Sequence, residues 1–168
     1  MDPPGGRPER SGRPHARPHP GAPGDPARRR PGRAQLIVFT AEAKSILLAY
    51  EMAKQAGQNE YVIARKTPKL YMEDLIMTNV DSITTEHVQR LCIGKREANM
   101  IKDRKVLIVD DVISTGQSLA SMEYLVEQAG GQIVGKMAVL AEGDAIKRDD
   151  IIVLEQLPLF NSDGSVKE

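Results

Sequence analysis

The chain has 168 residues, with 23 Lys+Arg against 23 Asp+Glu and a single cysteine, Cys92. One cysteine excludes a disulfide scaffold and a cysteine-based zinc site, and no run nears the ~20 apolar residues of a membrane span. The zero net charge conceals a split, because residues 1–33 hold eight arginines against three acids, together with nine of the eleven prolines.

In chain order, that arm comes first. It contains no Ile, Leu, Val or aromatic residue, so it has nothing to bury and cannot offset its own ordering entropy. Residues 1–33 are expected to form a disordered Pro/Arg/Gly-rich arm, and residues 34–168 a single domain of ordinary size. Arg28, Arg29 and Arg30 would suit a nucleic acid, but single-strand binders interleave aromatics and this arm has none. Nine prolines bar the amphipathic helix of a transit peptide, and there is no apolar core of a secretory signal. The arm therefore reads as an unstructured leader, or as GC-rich codons translated from a wrong start. It precedes a soluble cytoplasmic domain for which neither a nucleic-acid nor a membrane partner is expected.

Leu36 to Phe39 is a short apolar run ending at Thr40, the pattern of a buried strand. Glu42 to Ala56, closed by Gly57, reads as a helix with apolar Ile46, Leu47, Ala49, Tyr50 and Ala53. Tyr61 to Ala64 is the next strand, leading into Arg65-Lys66-Thr67-Pro68-Lys69. Residues 77–94 alternate irregularly and are expected to form a long, flexible hairpin. Val106 to Val109 is a fully apolar strand, and Gln117 to Ala129 a helix stopped by Gly130-Gly131. Val134 to Leu140 and Ile151 to Leu154 supply two more strands. Strands alternating with helices predict an α/β fold, an open and mainly parallel twisted sheet flanked by helices.

The chemistry concentrates in Val106 to Ser118. An apolar strand runs into Asp110 and Asp111, then Ser114, Thr115 and Gly116 open a helix at Gln117 and Ser118. Backbone N–H groups and hydroxyls at a helix N-terminus suit a phosphate, and glycine lets the backbone approach it. Two carboxylates beside a phosphate must serve something else. Sugar hydroxyls, which donate to carboxylates, fit, as does a magnesium ion held through water. These groups describe a ribose 5-phosphate cradle. The bland alternative, turn acids followed by a helix cap, needs only one hydroxyl where this segment supplies several. Neither G-x-x-x-x-G-K-[ST] nor G-x-G-x-x-G occurs.

This segment resembles the phosphoribosyl pyrophosphate signature of type I phosphoribosyltransferases. Thr40 to Ser45 looks like the family's pyrophosphate loop, and Arg65 to Leu70 like the R-K-x-x-K-L segment of its adenine branch. The resemblance, which runs from about Leu36 to Phe160, implies a purine-salvage transferase that moves the phosphoribosyl group onto adenine. By the same resemblance Asp110 and Asp111 would hold the ribose hydroxyls and take the catalytic part, while Ser114, Thr115, Gly116, Gln117 and Ser118 cradle the 5′-phosphate. Ala43, Lys44, Arg65 and Lys69 would meet the pyrophosphate. Mg²⁺ would arrive with the substrate, water-mediated to Asp110 and Asp111. The family also implies a homodimer, while the base-contacting residues are not legible. His15, His19 and His87 offer no convincing base or ligand.

Three departures stand out. Ser45 replaces the glycine that ends the pyrophosphate loop of close relatives. Ser114 stands where 6-oxopurine relatives carry an Asp that pairs with the purine, which speaks against hypoxanthine or guanine and is compatible with adenine. The family's N-terminal hood over the base is replaced by the arm, so weak adenine binding and slow turnover are expected. The alternatives are a non-enzymatic phosphoribosyl pyrophosphate-binding regulator, or a transferase for another nucleobase. Such regulators carry a winged-helix domain, which thirty-three residues of this composition do not make.

Overall fold

The computed structural model describes residues 36–78 and 90–167, all within the compact unit Ala34–Glu168. The expected arm and most of the expected hairpin, residues 79–89, lie outside the described residues. Five strands form one wholly parallel sheet: β1 (Leu36–Ala41), β2 (Tyr61–Ala64), β5 (Lys105–Ile113), β6 (Gln132–Glu142) and β7 (Ile152–Leu157). Their order across the sheet is β2-β1-β5-β6-β7. A separate antiparallel pair joins β3 (Ile76–Met77) to β4 (Cys92–Ile93), in the register Ile76 opposite Ile93 and Met77 opposite Cys92. These are the two ends of the expected hairpin.

Alternation along the strands sorts apolar residues to two faces. On one face Ile37, Phe39, Val106 and Ile108 pack with Leu119, Met122, Leu125 and Val126 of α3 (Gln117–Gln128) and Ile101 of α2 (Lys95–Ile101). On the other, Val38 and Val109 meet Ala49 and Ala53 of α1 (Ile46–Gln55). Small residues on α1 allow a close approach to the sheet. Leu47, read from sequence as part of its apolar face, instead stands 78% exposed.

Helix α1 begins four residues later than its pattern suggested, because residues 42–45 are occupied elsewhere. The Glu42 amide donates to the Ala64 carbonyl at 3.0 Å, tying the end of β1 to the end of β2. The Glu42–Ala43 peptide bond is cis. Helix α2 was not anticipated. Its entry is fixed by Glu97, whose carboxylate accepts the Gly94 amide at 3.2 Å, and Ile101 is its buried anchor. The turn from α3 into β6 uses Gly130 at φ 75°, followed by Gly131 packed against Ile101, Val126 and Val106. A 3₁₀ turn at Gly143–Lys147 links β6 to β7. The open edge strand β7 leaves Ile152 and Leu154 exposed.

The decisive feature is where β1 and β5 part. Their pairing ends at Phe39 opposite Ile108, while β1 continues with β2 to Ala41–Ala64 and β5 continues with β6 to Ile113–Ala141. Chain direction across the sheet reverses between these two strands, so a crevice opens beyond their carboxyl ends. Ligands of open α/β sheets bind at such a switch point.

Candidate active site

Every polar residue singled out in 106–118 lies along this crevice. The apolar strand is longer than its sequence pattern indicated. Asp110 and Asp111 are inside β5 rather than beyond it, because pairing with β6 continues past them at Val112–Leu140 and Ile113–Ala141. On the β1 side the same residues face the opening. Asp110 is 8% exposed, and Asp111 is half-buried.

Across the crevice stands Ser45, 2% exposed at the start of α1. Its Oγ lies 2.7 Å from Asp110 Oδ1 and 3.0 Å from Asp111 Oδ1, and it accepts the Asp111 amide at 3.0 Å. The Asp111 amide also lies 2.9 Å from Asp110 Oδ1. Burial pushes the Asp110 carboxyl above its ordinary range. The Ser45 hydroxyl and the Asp111 amide pull it part of the way back, and the neighbouring Asp111 carboxyl adds to the rise.

Beyond the acids, the chain turns through Ser114 and Thr115 to Gly116, which takes φ 78° at the entry to α3. No side chain caps this helix, so the exposed Ser114 and Thr115 hydroxyls are not consumed as caps. Residues 112–119 line a hollow of about 330 Å³ with Asp110. At Gly116 an added Cβ would fall 2.8 Å from Nη1 of Arg148. Sequence reasoning missed this guanidinium beside the 114–118 turn, because only the fold returns residue 148 to it. Asp150 holds Arg148 through two bonds, to Nε at 2.8 Å and Nη2 at 2.7 Å, and also pairs with Lys136.

A second hollow of about 410 Å³ adjoins the acids. It is lined by Ala41 to Ser45, Lys66, Asp110 to Val112, Ser114 and Ser118. The two expected loops thus share one cavity wall. Ala43 and Lys44 are exposed on it. Among the cations after β2, Lys66 borders the hollow. Arg65 instead donates to Glu42 Oε2 at 3.2 Å, and Lys69 is exposed farther along the loop. The Lys66 amide donates to Glu42 Oε1 at 2.7 Å, and this bond, then Arg65, holds the Glu42 carboxyl below its usual range. Cys92 is buried and its thiol is pushed up by burial, so it offers no nucleophile.

A larger hollow of about 660 Å³ lies elsewhere, bordered by Glu60 and Arg104, which precede β2 and β5. Its lining includes none of the 42–45 loop, Asp110, Asp111 or the 114–118 turn, so volume alone does not mark the candidate site. Among the described residues no group of three or more His, Cys, Asp or Glu could hold a metal ion alone. Asp110 and Asp111 supply two hard oxygen donors, which fits a Mg²⁺ brought in by phosphates and met through water.

Two acids lie at a switch point of an open parallel α/β sheet, beside a glycine-bearing helix entry and a basic loop. Comparison with known proteins narrows this class. The chain belongs to the phosphoribosyl transferase domain family, which matches residues 28–166. It is 34% identical over 107 residues to xanthine phosphoribosyltransferase 1 of Clostridium perfringens, covering 63% of this chain and 55% of that protein. The chain thus spans about half of that relative's length. Xanthine phosphoribosyltransferase of Clostridioides difficile is 29% identical over 137 residues, 77% of this chain and 71% of its own. Among solved structures, adenine phosphoribosyltransferase from Thermoanaerobacter pseudethanolicus superposes with a TM-score of 0.57 at 24% identity, over 74% of this chain and 71% of the other. At that identity the likeness concerns the fold.

Proposed function

We propose that the chain is a purine-salvage phosphoribosyltransferase, moving the 5-phosphoribosyl group of phosphoribosyl pyrophosphate onto a purine nitrogen with release of pyrophosphate. The observation that carries this reading is the junction of Asp110 and Asp111 with the 42–45 loop at the switch point. Two hollows that share Asp110, Ser114 and Ser118 offer acceptors for ribose hydroxyls, donors for the 5′-phosphate and a basic rim for the leaving group.

In this reading the chain works mainly by positioning. Asp110 and Asp111 accept the ribose hydroxyls and place a negative field under the ring as positive charge develops at C1. Gly116 to Ser118 present N–H groups and hydroxyls at the N-terminus of α3 to the 5′-phosphate. Lys44 and Lys66 neutralise the departing pyrophosphate. A Mg²⁺ entering with the substrate would add Lewis-acid stabilisation of that leaving group.

For the base, we favour adenine. The Arg65 to Leu70 segment resembles that of the adenine branch, and the neutral Ser114 and the carboxylate of Glu142, at the carboxyl end of the strand beside β5, can accept from an exocyclic amine. Similarity to the clostridial xanthine enzymes supports xanthine as a second reading. We place the reaction in the cytoplasm and the working form as a homodimer, following the family resemblance. The test is pyrophosphate release from phosphoribosyl pyrophosphate with adenine, xanthine, hypoxanthine and guanine in turn. Adenine is expected to give the highest kcat/KM. Preference for xanthine would replace the base assignment. Binding of phosphoribosyl pyrophosphate without turnover on any base would instead make the chain an effector-binding regulator.

A further inference from the structure

Ser45 does something that neither the 40–45 loop nor the 110–118 segment explains by itself. It occupies the position before the first turn of α1, where a serine hydroxyl ordinarily accepts a helix N–H, yet it makes no side-chain cap bond. The helix is started by its carbonyl alone, which accepts the Ala49 amide at 2.9 Å. The hydroxyl turns instead across the crevice to both carboxylates, at 2.7 Å and 3.0 Å, and accepts the amide between them. This happens in a spot from which water is almost wholly excluded.

Resting on the sugar-phosphate reading of this cavity, we infer that Ser45 is a positioning residue that locks the ribose-binding acids from the pyrophosphate side. Two adjacent carboxylates repel one another, and Asp110 is also desolvated. A hydroxyl shared between them fixes their rotamers with the remaining oxygen lone pairs directed into the cavity, so the clamp is formed before sugar arrives. Glycine or alanine at position 45 has no group to do this. The loop that meets the leaving group therefore also sets the affinity for the part of the substrate that stays bound.

This arrangement makes an uncommon demand, that a substitution in the pyrophosphate loop weaken a ligand lacking pyrophosphate. Calorimetric titration of the full chain with ribose 5-phosphate, and separately with magnesium pyrophosphate, tests it. Ser45→Ala should lower ribose 5-phosphate affinity roughly tenfold, the scale of one hydrogen bond to a charged group. Pyrophosphate affinity should move less than about threefold, because its contacts are backbone and lysine groups that remain. Ser45→Thr, which keeps the hydroxyl, should restore ribose 5-phosphate binding. Ser45→Gly provides a variant with the residue this loop pattern carries in relatives, and it should behave like Ser45→Ala. Unchanged ribose 5-phosphate affinity in both truncations overturns the inference, as does equal loss of the two ligands or failure of threonine to rescue. A wild-type chain that binds neither ligand overturns the proposed function, and this inference with it.

Discussion

At the scale of single residues, the candidate site holds charge where water is scarce. Asp110 is nearly buried beside a second acid, an arrangement that core packing gives no reason to keep. Its carboxyl would be better solvated in the unfolded chain. Replacing both acids, Asp110→Asn with Asp111→Asn, should abolish measurable phosphoribosyl pyrophosphate binding while leaving a folded protein. Hydrogen bonds to charged groups contribute ~1.5–3 kcal/mol each, so losing two weakens binding a hundredfold or more. Calorimetry checks this, and undiminished binding would remove the acids from the site. These residues stood out in the sequence because a hydrophobic strand seldom runs into two acids and a glycine turn, and the structure brings them to the switch point. Ser45 was legible only as an odd substitution. Its partners are 65 and 66 positions away, and no local pattern encodes a contact of that span. Arg148 escaped notice for the same reason.

At the scale of elements, five strands and two helices followed from apolar runs and their breaks, since period-2 and period-3.6 patterns are local. Helix α2 was missed because seven residues with one fully buried side chain give little periodicity, and its stability comes from packing. That packing yields a sharp expectation. A Cβ on Gly131 would sit 2.5 Å from Ile101 Cγ2 and 2.9 Å from Val126 Cγ1, wedging α2 and α3 away from the start of β6. Gly131→Ala should destabilise the fold by about 1–3 kcal/mol, as overpacking does, and denaturant titration measures it. No change would mean that the two helices yield freely. A second expectation concerns Glu123 on α3, Lys136 on β6, and Arg148 and Asp150 ahead of β7, which are tied by ion pairs. Arg148, then Lys136, holds the Asp150 carboxyl well below its usual range. A lowered acid contributes stability above its unfolded-state pKa of about 3.9 and loses it as pH falls toward the folded value. The loss caused by Asp150→Asn should therefore be greatest near neutrality and fade below about pH 4. Solvent screening keeps it to about 1 kcal/mol or less. Thermal melts of both proteins across that range decide the point, and a pH-independent difference would sever the effect from the charge.

At the scale of the whole molecule, the expected open parallel α/β sheet is the one observed, with helices on both faces and the site at its switch point. The reason is that alternating strands and helices admit few parallel topologies. Strand order itself was not readable, because it depends on which apolar faces meet. Among the described residues no helix is long and apolar enough to cross a membrane. The arm's composition still makes a prediction: removing residues 1–33 should leave the melting temperature unchanged, since it brings no apolar side chains to bury. A fall of several degrees in a thermal melt would show that it packs on the domain.

The parting of β1 from β5 also governs when the site can exist. Helix α1 can begin to form from neighbours in sequence, but the crevice has no meaning until two strands some seventy positions apart lie side by side. Ordering that span is an entropic expense that local contacts do not repay in advance, and parallel pairing is slow for this reason. Ligand capture is thus a late event on the way from coil to native chain. In a refolding experiment, helical circular dichroism should recover ahead of the ability to bind phosphoribosyl pyrophosphate. A nascent chain still inside the ribosome beyond β1 would have its 42–45 loop long before Asp110 and Asp111 could come to face it.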